Sequence, residues 1–175
     1  MYPSHPKVAS QASTSNGNLN YDAPTLAAVS PTTATTSGGS TLTLTGTSFG
    51  ATGALVSVGN LNCPVTFQNH TLVACTLPAG VGQSLSVTLT AAGQASNAKS
   101  FSYSAPIITS LSPASGPTQG GQIMTIFGTS LGNSQGAVTF GGFPCDGTKC
   151  TLISQNHTQI AITYVGWLVG LFVLT

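Results

Sequence analysis

The chain repeats itself, and this limits its fold more than any other property. Ser30-Pro31, Gly38-Gly39-Ser40 and the run Leu42-Thr43-Leu44-Thr45-Gly46-Thr47-Ser48-Phe49-Gly50 recur as Ser112-Pro113, Gly120-Gly121-Gln122 and Met124-Thr125-Ile126-Phe127-Gly128-Thr129-Ser130-Leu131-Gly132. Every pair is offset by 82 (132 minus 50), as are Val56 and Val138, Gly59 and Gly141, and Cys63 and Cys145. Beyond the cysteine, Gln68-Asn69-His70-Thr71 returns as Gln155-Asn156-His157-Thr158 at an offset of 87 (155 minus 68). Five residues (87 minus 82), around Asp146 to Cys150, therefore lengthen one loop of the second copy. A fixed period of this kind is one structural unit used twice, and 175 residues suffice for two small units.

Within each unit the apolar residues alternate. Leu42 and Leu44 alternate with threonines over Thr41 to Thr45, and Leu85, Val87 and Leu89 keep period two over Ser84 to Thr90. Leu55 to Val58, Val65 to Phe67 and Leu72 to Cys75 read as further strands, and Lys99 to Tyr103 puts Phe101 and Tyr103 on one face. The 21 Gly and 10 Pro punctuate these runs as turns. About seven short strands in about 85 residues describe a Greek-key sandwich.

Pro-x-Ile-x-x-Leu-Ser-Pro-x-x-Gly-Pro-Thr-x-Gly-Gly at Pro106 to Gly121 precedes an alternating strand, then Gly-Thr-x-Leu-Gly and Val-Thr-Phe-Gly-Gly. This string resembles the IPT/TIG domain, an immunoglobulin-like fold found in plexins and in some transcription factors, over residues 24 to 175. The resemblance implies spacers and interaction surfaces of cell-surface proteins, or dimerisation and DNA-contacting modules. The transcription-factor branch uses basic loops that this sequence lacks. The expected architecture is all-β: two tandem immunoglobulin-like Greek-key sandwiches, the second lacking its last strand.

The ends carry that last expectation. Gln94-Ala95-Ser96 followed by Phe101-Ser102-Tyr103-Ser104-Ala105-Pro106 has a counterpart at Gln11-Ala12-Ser13 followed by Leu19-Asn20-Tyr21-Asp22-Ala23-Pro24, with Tyr21 again 82 before Tyr103. Residues 1–23 read as an extension holding a donor strand that resembles the final, G strand of a sandwich. Residues 24–105 are the first module. Residues 106–175 are a second module that ends at its F strand if Thr175 matches Thr90. An acceptor groove beside Phe172 and Leu174 would leave apolar core and strand edge uncovered. Leu19 and Tyr21 of another copy would fill the places that Phe101 and Tyr103 fill in the first module. This is strand addition, and its heterologous contact propagates into an open filament. Two other readings stand beside it: a cut from a longer tandem array, and a membrane anchor at Val165 to Leu174. The anchor is disfavoured, because the apolar run from Ile160 is short of the roughly 20 residues a spanning helix needs. Met1 to Pro6 has no basic or apolar signal region, so a secretory signal is expected to lie outside this numbering.

Charge narrows the function classes. Lys7, Lys99 and Lys149 are the only basic residues besides histidine, and Asp22 and Asp146 the only acidic ones. Nucleic-acid binding needs clustered Lys and Arg and is excluded. An uncharged surface favours association unless glycans hydrate it. Asn69-His70-Thr71 and Asn156-His157-Thr158 are both N-glycosylation acceptors, and the Ser/Thr-rich stretch Thr32 to Ser40 could carry O-linked sugars. Cys63 aligns with Cys145, but Cys75 aligns with Ile162, while Cys150 enters with the inserted loop. Of three possible pairings, Cys63–Cys75 and Cys145–Cys150 fit the repeat. Buried free thiols compete with that pairing. Zinc is disfavoured, for lack of Cys-x-x-Cys and of histidines at ligand spacing. Disulfides imply an oxidising compartment. His70 and His157 are expected in exposed turns. No grouping of catalytic residues or phosphate-binding loop is recognisable, so no cofactor and no enzyme activity are expected. The expectation is an extracellular, glycosylated structural subunit that polymerises with copies of itself. The alternative is a segment of a larger cell-surface receptor or adhesin that binds proteins or glycans.

Overall fold

A computed structural model gives the fold; it describes residues 21–133, 137–166 and, for the backbone alone, 172–174. Leu19 and most of the expected donor strand lie outside the described residues.

The first module is built from β1 (Thr25–Ser30), β2 (Thr33–Ala34), β3 (Thr41–Thr47), β4 (Leu55–Val58), β5 (Leu61–Cys63), β6 (Val65–Gln68), β7 (Leu72–Thr76), β8 (Leu85–Ala91), β9 (Gln94–Ala95) and β10 (Lys99–Tyr103). One sheet has the order β1-β3-β7-β6; the other has the order β2-β10-β8-β4-β5, with β9 paired to β8. The second module contributes β11 (Ile107–Ser112), β12 (Gly120–Thr129), β13 (Val138–Phe140), β14 (Phe143–Pro144), β15 (Cys150–Gln155), β16 (Gln159–Val165) and β17 (Phe172–Leu174). Its sheets are β11-β12-β16-β15 and β14-β13-β17. Each module is thus two sheets face to face, as the alternation requires: one face of each strand must leave water.

The buried faces follow the repeat. Leu42, Leu44, Val56, Val58, Val73, Val87 and Leu89 fill the first core, closed by Phe49, Phe101 and Tyr103. Met124, Ile126, Leu131, Val138, Phe140, Ile160 and Ile162 occupy the matching places of the second. Ile162 faces Met124 across β16 and β12 as Cys75 faces Leu42 across β7 and β3. The expected substitution of Ile162 for Cys75 is therefore a true structural equivalence.

The repeated glycines have a backbone reason. Gly38, Gly39, Gly50 and Gly59 all have positive φ, and so do Gly120, Gly121, Gly132 and Gly141. Residues with a Cβ adopt that region at a cost. Gly46 and Gly128 are retained for space: a Cβ on Gly46 would collide with the Thr25 carbonyl and the Phe49 ring, and one on Gly128 with the Ile107 carbonyl and Leu131. Ser30-Pro31 and Ser112-Pro113 are both cis.

Both expected disulfides are present and each joins the two sheets of its module. Cys63 at the end of β5 meets Cys75 in β7, with Cα atoms 5.5 Å apart. Cys145, just after β14, meets Cys150 at the start of β15, at 4.2 Å. The five-residue insertion moves the second bridge from the strand to the corner between sheets.

The modules differ at one edge. In the first, β8 lies between β4 and β10. In the second, β17 pairs with β13 in the same register: Val138 faces Leu174 as Val56 faces Leu89. Among the described residues β17 has no neighbour on its other side. Ile108 and Leu111, which match the buried Leu26 and Val29, are only partly buried.

Candidate functional site

The features that recur without serving the core gather at the ends of the modules. The first is the turn Gln68-Asn69-His70-Thr71. Gln68 Nε2 donates to the Phe49 carbonyl at 2.8 Å, as Gln155 Nε2 donates to the Leu131 carbonyl at 2.7 Å. These bonds clamp the turn onto the loop between β3 and β4, and the matching turn onto the loop between β12 and β13. Asn69 Oδ1 accepts from the backbone N–H groups of Thr71 and Leu72 at 2.9 and 2.7 Å, and Asn156 Oδ1 from those of Thr158 and Gln159 at 2.9 and 2.8 Å. Each acceptor asparagine is thus an exposed Asx-turn. Its Nδ2, the atom that would carry a glycan, takes no part in those bonds.

The second feature is the junction between modules. Only Ser104, Ala105 and Pro106 separate β10 from β11. His157 Nδ1 lies 2.9 Å from Thr36 Oγ1, and Thr36 is only 2% exposed. The backbone of Gly132 packs so closely on Val81 that a Cβ there would meet its Cγ1 at 3.1 Å. Thr36 is itself held by its carbonyl, which accepts from Gly80 N–H at 3.0 Å. Sequence reasoning placed both histidines in exposed turns. His70 is exposed, but His157 is half-buried against the first module. The two turns have the same local sequence, so no local signal separates them. The expected O-glycan stretch is also less open than its composition suggests, because Thr36 lies inside the junction.

The third feature is a cleft of about 380 Å3 at the opposite end of the first module, lined by Tyr21, Asp22, Gly50, His70 and Gln94 among others. Gln94 Nε2 donates to the Tyr21 carbonyl at 2.9 Å and holds residues 21–24 alongside β9. The Tyr21 ring is 75% exposed, whereas the matching Tyr103 is 3% exposed and donates to the Pro78 carbonyl at 2.7 Å. Of the acceptor-groove residues, Phe172 and Leu174 are placed in β17 by backbone pairing. Their side chains lie outside the described residues.

Little here is suited to acid–base chemistry. Asp146 Oδ1 accepts from the Thr148 hydroxyl and from its N–H at 3.0 Å. Those bonds, the hydroxyl first, hold its carboxyl below the ordinary value. Asp22 lies in the segment that leads into the first module, beside the cleft. Among the described residues no three His, Cys, Asp or Glu side chains cluster as metal ligands would.

Comparison with known proteins places this arrangement. The IPT/TIG domain model matches residues 24–103 and 106–175. The chain belongs to the IPT/TIG family. Its two TIG modules are tandem copies of that immunoglobulin-like domain. Among solved structures, the surface glycan-binding protein PbSGBP-B from Prevotella bryantii matches over 90% of this chain and 40% of its own, with 16% identity and a TM-score of 0.54. The plexin A4 extracellular region matches over 92% of this chain and 17% of its own, with 19% identity and a TM-score of 0.45. Gamma-CGTase from the alkalophilic Bacillus clarkii matches over 83% of this chain and 21% of its own, with 15% identity and a TM-score of 0.45. The chain therefore spans well under half the length of each of these proteins. At such identities the likeness is one of fold.

Proposed function

We propose that this chain is a non-catalytic segment of a multi-module extracellular or cell-surface protein, a receptor or adhesin that binds proteins or glycans, in which TIG modules act as stiff spacers. The observation that carries this reading is the junction. A three-residue linker, the His157–Thr36 bond and the Gly132–Val81 contact leave the modules little freedom. The inter-sheet disulfides suit an oxidising compartment. The exposed Asx-turns at Asn69 and Asn156 suit covalent glycans, which would hydrate a surface nearly free of charge. Small-angle X-ray scattering of the intact chain tests the spacer. One fixed maximum dimension is expected, and loss of that fixed value on combining His157→Ala with Thr36→Ala. A broad distribution of dimensions in the unaltered chain would exclude it.

The side of β17 that has no neighbour among the described residues, together with the exposed Tyr21, favours a second reading, a glycosylated extracellular filament built by strand donation. Leu19 and Tyr21 of one copy would enter beside Phe172 and Leu174 of the next, and the chain's partner would be itself. Electron microscopy of the full chain carrying Leu19→Asp and Tyr21→Asp tests this. Filaments from the unaltered chain that vanish in this variant support strand donation, and filaments that persist exclude it.

A further inference from the structure

The internal junction has two halves; both residues of one half, and the threonine of the other, recur at a far end of the molecule. One half is a plug on the second module, made of Gly132 and His157. The other is a socket on the first module, made of Thr36 with Gly80 and Val81. The repeat places Gly50 and His70 on the first module where Gly132 and His157 lie on the second. It places Thr118 on the second module where Thr36 lies on the first. Burial differs in one consistent way. Gly132 is buried where Gly50 is half-buried, His157 is half-buried where His70 is exposed, and Thr36 is buried where Thr118 is exposed. The junction thus covers one member of each pair and leaves its counterpart open.

The approach path recurs as well. Tyr103-Ser104-Ala105-Pro106 leads from one module into the next, and Tyr21-Asp22-Ala23-Pro24 enters the first module through the same four-residue pattern. Gln94 Nε2 already fixes the Tyr21 carbonyl beside the open plug. A partner arriving along that segment would meet Gly50 and His70 across the cleft described above. Among the described residues that line the cleft, Asp22 is the only Asp, Glu, Lys or Arg, and Thr118 adds no charge.

We infer that the end of the first module carrying Gly50 and His70 is a docking seat for a second copy of this chain, which presents Thr118 of its second module. The contact repeats the internal one, with His70 of one copy bonded to Thr118 of the other. It rests on the self-association reading above and adds to it a contact that strand pairing does not require. Joined in this way, successive copies continue the stacking found inside each chain.

The test uses the full chain. Protein carrying His70→Cys is mixed with protein carrying Thr118→Cys under mild oxidation, and the products are mapped by mass spectrometry without reduction. Ser110→Cys, on an exposed mid-strand position of β11, replaces His70→Cys in the control mixture. The expected result is a 70–118 crosslink between copies at several times the control yield, with both native disulfides retained. A yield no higher than the control overturns the seat. Filament formation by the unaltered chain is scored separately. Filaments without the crosslink overturn the seat and leave strand donation standing. The crosslink without filaments supports the seat and counts against strand donation. Neither result overturns both.

Discussion

Replacing Tyr103 by Phe removes one oxygen from the last strand of the first module and leaves everything else in place. The ring stands edge-on to Phe101, with centroids 5.2 Å apart, and is buried in the core. Phe keeps that packing. What is lost is the 2.7 Å bond from the hydroxyl to the Pro78 carbonyl. A neutral hydrogen bond of this kind contributes about 0.5–1.5 kcal/mol net. With a urea slope near 1 kcal/mol/M for a domain of this size, the midpoint of the first module falls by about 0.5–1.5 M with its slope unchanged. The second expectation concerns pH. Burial pushes the Tyr103 phenol above its ordinary value of 10.0. A group whose folded value is raised stabilises fully below its unfolded value, and that stability is lost as pH rises through the folded value. The gap between the two proteins should therefore be largest near neutrality and narrow as pH rises above 10. Urea unfolding at a series of pH values, followed by a signal from the first module, measures both effects. Equal midpoints at pH 7, or a gap that stays constant above pH 10, would refute the role given to this bond.

The two disulfides should differ in worth, because they close loops of separation 12 and 5. In the chain-entropy account, replacing both cysteines by alanine costs the first module about 3 kcal/mol and the second about 2 kcal/mol of loop term; a second module destabilised more than the first in calorimetry contradicts it. Thr148→Val should raise the Asp146 carboxyl toward its ordinary 3.8, since the Thr148 hydroxyl is the largest cause of its lowering. A lowered carboxyl stabilises above its unfolded value, and that stability is lost as pH falls through the folded value. The variant's second module should therefore show a weaker loss of stability in acid, with the Asp146 titration followed by NMR; an unchanged titration rules the hydroxyl out.

Much of the module was readable from residue types alone, for a physical reason. A left-handed turn or a carbonyl against a Cα has to be met by the residue at that position. Gly38, Gly46, Gly50 and Gly59 therefore announce their turns and contacts in the sequence, and announce them again 82 residues later. Alternation named the buried members of β3 and β8, and displacement of a cysteine into the inserted loop named both disulfide pairs. The short β2, β5 and β9 gave no such signal, because two or three residues hold no period and their pairing depends on the strands beside them. The register of β17 against β13 likewise came only from the fold.

The sharpest division falls on one pair of residues. His70 and His157 sit in the same four-residue sequence, in the same Asx-turn, on the same clamp of glutamine to loop. The sequence determined all of that, since every bond involved stays within one module and joins residues no more than 24 apart. It did not determine that His157 bonds Thr36, 121 residues away, while His70 remains open. That difference arises because the linker of Ser104, Ala105 and Pro106 brings one module against one copy of the turn and not the other.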